Sequence, residues 1–194
     1  MCKATLVRWT IIPLIAPRPW IACGGCGGLK PFEPSGRIRL NANGRRLDAW
    51  LIYKCLVCAR TWNRPLFERR ALKDIDPATL EALHFSAPDW VRAREFDIED
   101  LRRKAQRIDE CAEVEIRKEI LSDTGHPTVT VIELEVALPT CLRLDRLLSA
   151  ELGLSRTRLQ TLQAEGGLRI EPARKDVLRR RVRSGTRVML MRTS

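Results

Sequence analysis

Histidine is nearly absent from this 194-residue chain, which has only His84 and His126, and aromatic residues make up only 5% of it. No run of 18 or more apolar residues occurs, so no transmembrane helix is expected. No Walker loop, dinucleotide-binding fingerprint or zinc-protease helix is found. These absences exclude the readily recognised nucleotide-dependent and metalloprotease classes, and no catalytic residue is assigned. Seven cysteines is an odd number, which excludes a fully paired intramolecular disulfide framework. With 44% hydrophobic and 30% charged residues, a mainly disordered chain is excluded as well.

What is there is a basic excess. The formal charge is +11, which points to a polyanionic partner. Its distribution along the chain is uneven: residues 1–70 carry a net +10, residues 71–139 a net −7 and residues 140–194 a net +8. Two basic blocks around an acidic one suggest three modules with those boundaries. Lys3 and Arg8 precede the apolar stretch Trp9–Ala16 in the manner of an export signal. Pro13, Pro17, Arg18 and Pro19 interrupt it, however, so a cytoplasmic protein with reduced thiols is expected.

Two Cys-x-x-Cys pairs, Cys23-Gly24-Gly25-Cys26 and Cys55-Leu56-Val57-Cys58, are separated by 28 residues. A two-residue spacer lets both thiolates of a pair converge on one ion, and two pairs complete the tetrahedral four-sulfur shell of structural Zn2+. Between them Arg37-Ile38-Arg39-Leu40 leads into Asn41-Ala42-Asn43-Gly44 and then Leu47–Lys54, a strong hairpin signal. Cysteine pair, hairpin, cysteine pair is the layout of a zinc ribbon, although this spacing is long. A thioredoxin-like redox site would want one such pair opening a helix in a βαβ pattern, which is missing. An open catalytic zinc would want a water position and a nearby base, and both histidines lie elsewhere. Cys2, Cys111 and Cys141 are expected to be buried free thiols. Trp9, Trp20, Trp50 and Trp62 are expected to cap the core of the ribbon module. Arg37, Arg39, Arg45 and Arg46 cluster at one end of the hairpin, either to meet phosphates or simply to be solvated.

In the acidic middle, Asp76-Pro77 opens a short helix through Leu80 and Leu83, Pro88 restarts a second near Trp90, and Asp97 caps a third. In that third helix Ile98, Leu101, Ala105 and Ile108 recur at helical spacing. Alternation at Ala112–Ile116 and again at Thr130–Val136, on either side of Ser122–Pro127, predicts a β-hairpin. Glu133 and Glu135 would lie on its solvated face.

In the last third, Leu144, Leu147, Leu148 and Leu152 make one amphipathic helix ended by Gly153. Ser155 caps a second helix carrying Leu159 and Leu162, with Arg156, Gln160 and Gln163 on a neighbouring polar face and Arg158 pointing elsewhere. Leu168–Ile170 starts a strand, and Arg179-Arg180-Arg181-Val182-Arg183 leads through Ser184-Gly185 to a final strand at Arg187–Met191.

The order of two short helices and a small sheet, together with Arg143-Leu144-Asp145, Leu154-Ser155-Arg156, Leu162, Gly166 and Gly185, resembles the S4 RNA-binding domain over Arg143–Met191. That resemblance implies contacts to folded RNA at Arg143, Ser155, Arg156 and Gln160, with Arg158 nearby. Ile170-Glu171-Pro172 and Gly185-Thr186 depart from the family's usual Val-Asn-Gly and Gly-Asp. Nearly the full length also resembles a bacterial family of unknown function, through Trp9-Thr10-Ile11-Ile12-Pro13, Ile15-Ala16-Pro17-Arg18, Arg39–Gly44 and Trp50–Cys55; it names no activity.

The sequence thus predicts an α+β protein. Residues 1–70 form a zinc-ribbon module, 71–139 short helices and a hairpin, and 140–194 an S4-like domain. The expected role is non-catalytic binding of structured RNA, ribosomal or transfer, with structural Zn2+. The alternatives are a protein–protein adaptor or a thiol oxidoreductase. No membrane or small-molecule partner is evident.

Overall fold

Ten strands, five α-helices and two short 3-10 turns make up the computed structural model among the residues it describes, which are 4–123, 125 and 128–191. Thr124, His126 and Pro127 of the predicted turn, and Cys2, lie outside them. The chain divides into two compact units, one made of residues 16–110 and the other of residues 1–15 together with 111–194.

In the continuous unit, β2 (Arg18–Cys23), β3 (Gly28–Asn43), β4 (Arg46–Cys55) and β5 (Thr61–Ala71) form an antiparallel meander. The Asn43-Gly44 turn joins β3 to β4 with Asn43 paired to Arg46, as the hairpin signal predicts. β4 alternates strictly: Leu47, Ala49, Leu51, Tyr53 and Cys55 are buried, and the residues between them are more exposed. Three short helices follow: α1 (Pro77–Phe85), α2 (Pro88–Glu95) and α3 (Ile98–Lys104). Asp76 accepts from the Thr79 N–H at 2.8 Å and Asp97 from the Asp100 N–H at 2.9 Å, so both predicted N-caps form. α3 is shorter than its apolar spacing suggests. It ends at Lys104, and Ile108 belongs instead to β6 (Arg107–Asp109), which pairs with β2 at the sheet edge. Leu83, Val91 and Leu101 from the three helices join the two apolar clusters over the sheet.

The discontinuous unit is a second five-stranded sheet, in the order β7 (Val114–Ser122), β1 (Ala4–Pro13), β8 (Val129–Val136), β10 (Thr186–Met191), β9 (Leu168–Glu171). The hairpin expected between β7 and β8 does not exist. Both strands are present, but β1 lies between them, antiparallel to β7 and parallel to β8. β1 is an interior strand with Trp9 and Ile11 turned inward, and it satisfies the backbone groups that β7 and β8 would otherwise offer each other.

On the inner face pack α4 (Leu144–Leu152) and α5 (Arg156–Ala164), with Leu144, Leu147, Leu148, Leu159 and Leu162 meeting Trp9, Ile11, Ile132, Leu134 and Val188. Trp9 is therefore a core residue of this unit and not of the cysteine-bearing one. On the outer face charges are paired: Arg8 with Glu119 and Glu135 at 3.8 Å each, and Arg187 with Glu133 at 2.7 Å.

The boundaries at residues 70 and 139 match neither unit, because contacts group the chain differently from its charge blocks. The acidic segment is shared out, and the two units carry +5 (residues 16–110) and +6.

Candidate metal centre

The register of β3 with β4 places the β2–β3 turn and the β4–β5 turn at the same end of the sheet, since Phe32 near the start of β3 pairs with Cys55 at the end of β4. Each turn carries one Cys-x-x-Cys pair. Cys26 and Gly27 donate their N–H groups to the Cys23 carbonyl at 3.1 and 3.0 Å, and Ala59 donates to the Cys55 carbonyl at 2.9 Å. Gly27 and Ala59 occupy equivalent places, each directly after the second cysteine of its pair, and both have left-handed backbone at φ 68° and 60°. Glycine meets that requirement without strain, whereas alanine does not.

The four sulfurs of Cys23, Cys26, Cys55 and Cys58 all lie within 4.8 Å of one another; Cys23 to Cys58 is 3.4 Å and Cys26 to Cys55 is 3.9 Å. Four thiolates at the usual Zn–S distance of about 2.3 Å around a tetrahedral ion stand about 3.8 Å apart. The spacing therefore fits a four-coordinate metal ion. All four positions are supplied by the protein, so the set is closed.

Electrostatics favours the same occupant. Burial pushes the Cys23 thiol up, but hydrogen bonds from Cys58, the Gly25 and Cys26 N–H groups and Cys55 outweigh it and bring it down to about 6. Cys26 goes the other way, up to about 12, through its hydrogen bond with Cys58, burial and the negative charge on Cys23. One thiolate is thus stabilised at the expense of the next. A divalent cation at the centre removes that conflict by stabilising all four, and its binding displaces the remaining protons.

Arg60, which the spacing argument does not reach, lies across the first turn. A Cβ at Gly25 would stand 2.9 Å from its Cδ and Nε and 3.1 Å from the Cys58 sulfur. Glycine at 25 is what lets this guanidinium approach a centre that four thiolates and one divalent ion would leave doubly negative. The Gly-Gly spacer was the only sequence signal for it.

The residues of the S4 resemblance fall around α4 and α5. Arg143 is the N-cap residue of α4, and its guanidinium is held by Asp145, with Nε donating at 3.1 Å and Nη2 at 2.5 Å. Ser155 caps α5, accepting from the Arg158 N–H at 3.1 Å. Arg156, Arg158 and Gln160 are exposed, with Arg158 leaning towards Glu165 at 3.9 Å. Residues 144–164, which include both helices, carry three basic and two acidic side chains, close to neutral. The positive charge of this unit sits in the segment that follows: residues 172–187 hold seven Lys and Arg against one Asp, so the rest of the unit sums to zero.

Cys111 and Cys141 are half-buried. His84 stacks edge-on against Phe85 at 4.9 Å and takes no part in the cysteine centre. Trp62 packs against the cysteine-bearing core with Phe32 and Tyr53, while Trp20 donates to Asp109 at 2.6 Å. Among the described residues, no helix is long and apolar enough to cross a membrane.

No curated protein and no solved structure matches the chain. A family model described as "Protein of unknown function (DUF1062)" matches residues 40–174, which takes in the second cysteine pair, the helices and most of the second sheet. The chain belongs to that family.

Proposed function

We propose that this is a non-catalytic protein in which structural Zn2+ holds a zinc-ribbon-like unit, while the second unit binds structured RNA through an S4-like arrangement of α4, α5, β9 and β10. The observation that carries the zinc reading is the closed four-sulfur set, which leaves no ligand position for water or substrate. The RNA reading is supported by the order of two capped helices and two strands, with Arg143, Ser155, Arg156 and Gln160 at the helix starts and on the exposed face of α5. Lysines and arginines would neutralise phosphates, and the helix starts would fit the shape of folded RNA.

The test is a gel-shift titration against transfer RNA and duplex DNA at about 100 mM salt, repeated at several salt concentrations. A preference for the RNA, with log affinity falling by several units per unit of log salt, is the expected result. Equal or absent binding to both would remove the RNA reading. Metal analysis should give one zinc per chain with unreactive thiols, and reactive thiols without zinc would favour a thiol oxidoreductase.

A protein–protein adaptor is a second reading with its own observation. Leu56 and Val57, inside the second cysteine pair, are 42% and 66% exposed. Capture of one stoichiometric protein after nuclease treatment, lost in Val57→Ser, would favour it.

A further inference from the structure

The helices on which the RNA reading rests are near neutral, and the charge is next door. After β9 the chain forms a loop whose apolar residues Val177, Leu178 and Val182 are buried in the core of the unit. Its arginines, interleaved with them, stay exposed. The loop backbone is fixed at several points: Leu144 donates to the Arg180 carbonyl and Val182 to the Leu142 carbonyl, each at 2.9 Å. Ser184 Oγ accepts from the Val136 N–H at 2.7 Å, and Arg180 Nε donates to the Lys175 carbonyl at 3.0 Å. Anchored this way, the loop walls a cleft of about 340 Å³ with Arg174, Arg179, Arg180, Arg181 and Arg183 around it. No aspartate or glutamate is among the described residues that line it.

The neighbouring clefts differ. The one that shares Pro172 and Ser184 has Arg8 and Arg187 in its wall, but Glu133 and Glu135 pair with them. The cleft beside α2 and α3 in the other unit sets Arg64 and Arg103 against Asp100. Of these three clefts, the arginine cleft alone brings cations together on a concave wall without a carboxylate among the described residues of its lining. Like charges held together on a fixed backbone repel one another, and a concave wall focuses their potential. Guanidinium groups present planar forks of donors that match phosphate oxygens.

We infer that this cleft is a phosphate-binding site, separate from the α5 face. It deepens the RNA reading, from which it takes the source of its phosphate as a backbone phosphodiester; a free oligophosphate has the same chemistry and is the other source. Arg174, Arg179 and Arg183 are exposed in the cleft wall, and Leu144, beside Arg143, places the cleft at the start of α4.

The experiment measures binding of transfer RNA and of inorganic tripolyphosphate to the full chain, to Arg174→Gln/Arg179→Gln/Arg183→Gln and to Arg156→Gln. All of these side chains are exposed, so the folds should survive; a thermal melt checks this, and the single variants Arg179→Gln and Arg183→Gln stand in if the triple variant melts early. The expected result is at least tenfold weaker RNA binding by the triple variant, with the salt slope reduced by about three, and competition by tripolyphosphate. If the wild type binds RNA and the triple variant matches it while Arg156→Gln is weaker, the cleft proposal is overturned and the RNA reading stands. Tripolyphosphate binding that the triple variant loses, with no RNA binding by the wild type, would keep the cleft and overturn the RNA reading. Binding of neither ligand by the wild type overturns both.

Discussion

Single residues in the cysteine-bearing unit make opposing demands on the backbone and on proton binding. Gly27 and Ala59 fill the same place in two similar turns, and only one of them is the residue that place favours. Ala59→Gly relieves left-handed strain and in exchange makes the unfolded chain more flexible, which leaves a net gain of about 0.5–1 kcal/mol. Gly27→Ala should lose a similar amount, and denaturant titrations of the two variants in parallel check the pair. Glu95 is buried at 7% exposure, and burial pushes its carboxyl above the ordinary range despite the Gly36 N–H and the charges of Arg92 and Arg64. The folded state then binds that proton more tightly than the unfolded chain does. Stability from this group is therefore lost as pH rises from the ordinary carboxylate range through the raised value. Glu95→Gln should be more stable than the parent at neutral pH and converge with it in mild acid; equal stability at both would show that Glu95 carries no such penalty. Asp100 has the opposite sign. Burial pushes it up, but Lys104 and Arg64 hold it below the ordinary range, so its contribution is lost only as pH falls through that lowered value.

At the scale of elements, α3 has only seven residues and cannot hold itself together by propensity. Besides the burial of Leu101, two polar supports fix it: the Asp97 cap, and Arg64 of β5, which is 1% exposed and donates to Asp100 through Nε at 3.0 Å and Nη2 at 2.7 Å and to Tyr53 Oη at 2.9 Å. These are unequal supports. Asp97→Ala removes one capping bond and should cost about 1 kcal/mol. Arg64→Ala takes two bonds from the Asp100 carboxylate, which keeps Lys104 and Arg103, and removes the donor to the buried Tyr53 hydroxyl, and should cost about 2–3 kcal/mol in urea denaturation at fixed metal. Comparable costs for the two would mean that Arg64 is only a filler. The cap was legible in the sequence, because Asp97 and its partner N–H are three residues apart and the signal is local. Arg64 was not: its partners are 11 and 36 residues away, and a lone arginine in a basic stretch reads as solvated. The same division runs through the strands. Asn43-Gly44 declared its hairpin, α1 and α5 began at their Asp76 and Ser155 caps, and α4 ended at Gly153. β1 was missed as a strand, and β7 and β8 were paired with each other, since alternation shows that a residue faces a core but not which strand lies alongside it.

For the whole molecule, the sequence misplaced the charge before it misplaced any element. Counted along the chain, the acidic segment separated two basic blocks; counted by unit, it offsets part of the charge of each, and the remaining excess in the second unit collects beside β10. The four cysteines escaped this difficulty because Cys-x-x-Cys spacing encodes a shared ion directly, whichever strands carry it. Their place in the fold also decides what metal loss should do. Cys23 and Cys55 are themselves members of an apolar cluster with Phe32, Leu51, Tyr53, Val91 and Leu101, so their sulfurs close the core at one end of the sheet as well as the ion site. Removing the ion would leave four thiols crowded at that end with their protons in conflict, as the opposite displacements of Cys23 and Cys26 indicate. The second sheet has its own core from Trp9 to Val188 and contributes no ligand. On the structural-zinc reading, chelation should therefore strip hydrogen-exchange protection from β2, β3, β4 and β5 while β1, β8 and β10 keep theirs, and restored zinc should reverse the loss. Uniform loss over both sheets would mean that the two units fold as one cooperative body, and no loss in either would mean that the four sulfurs hold their places without an ion.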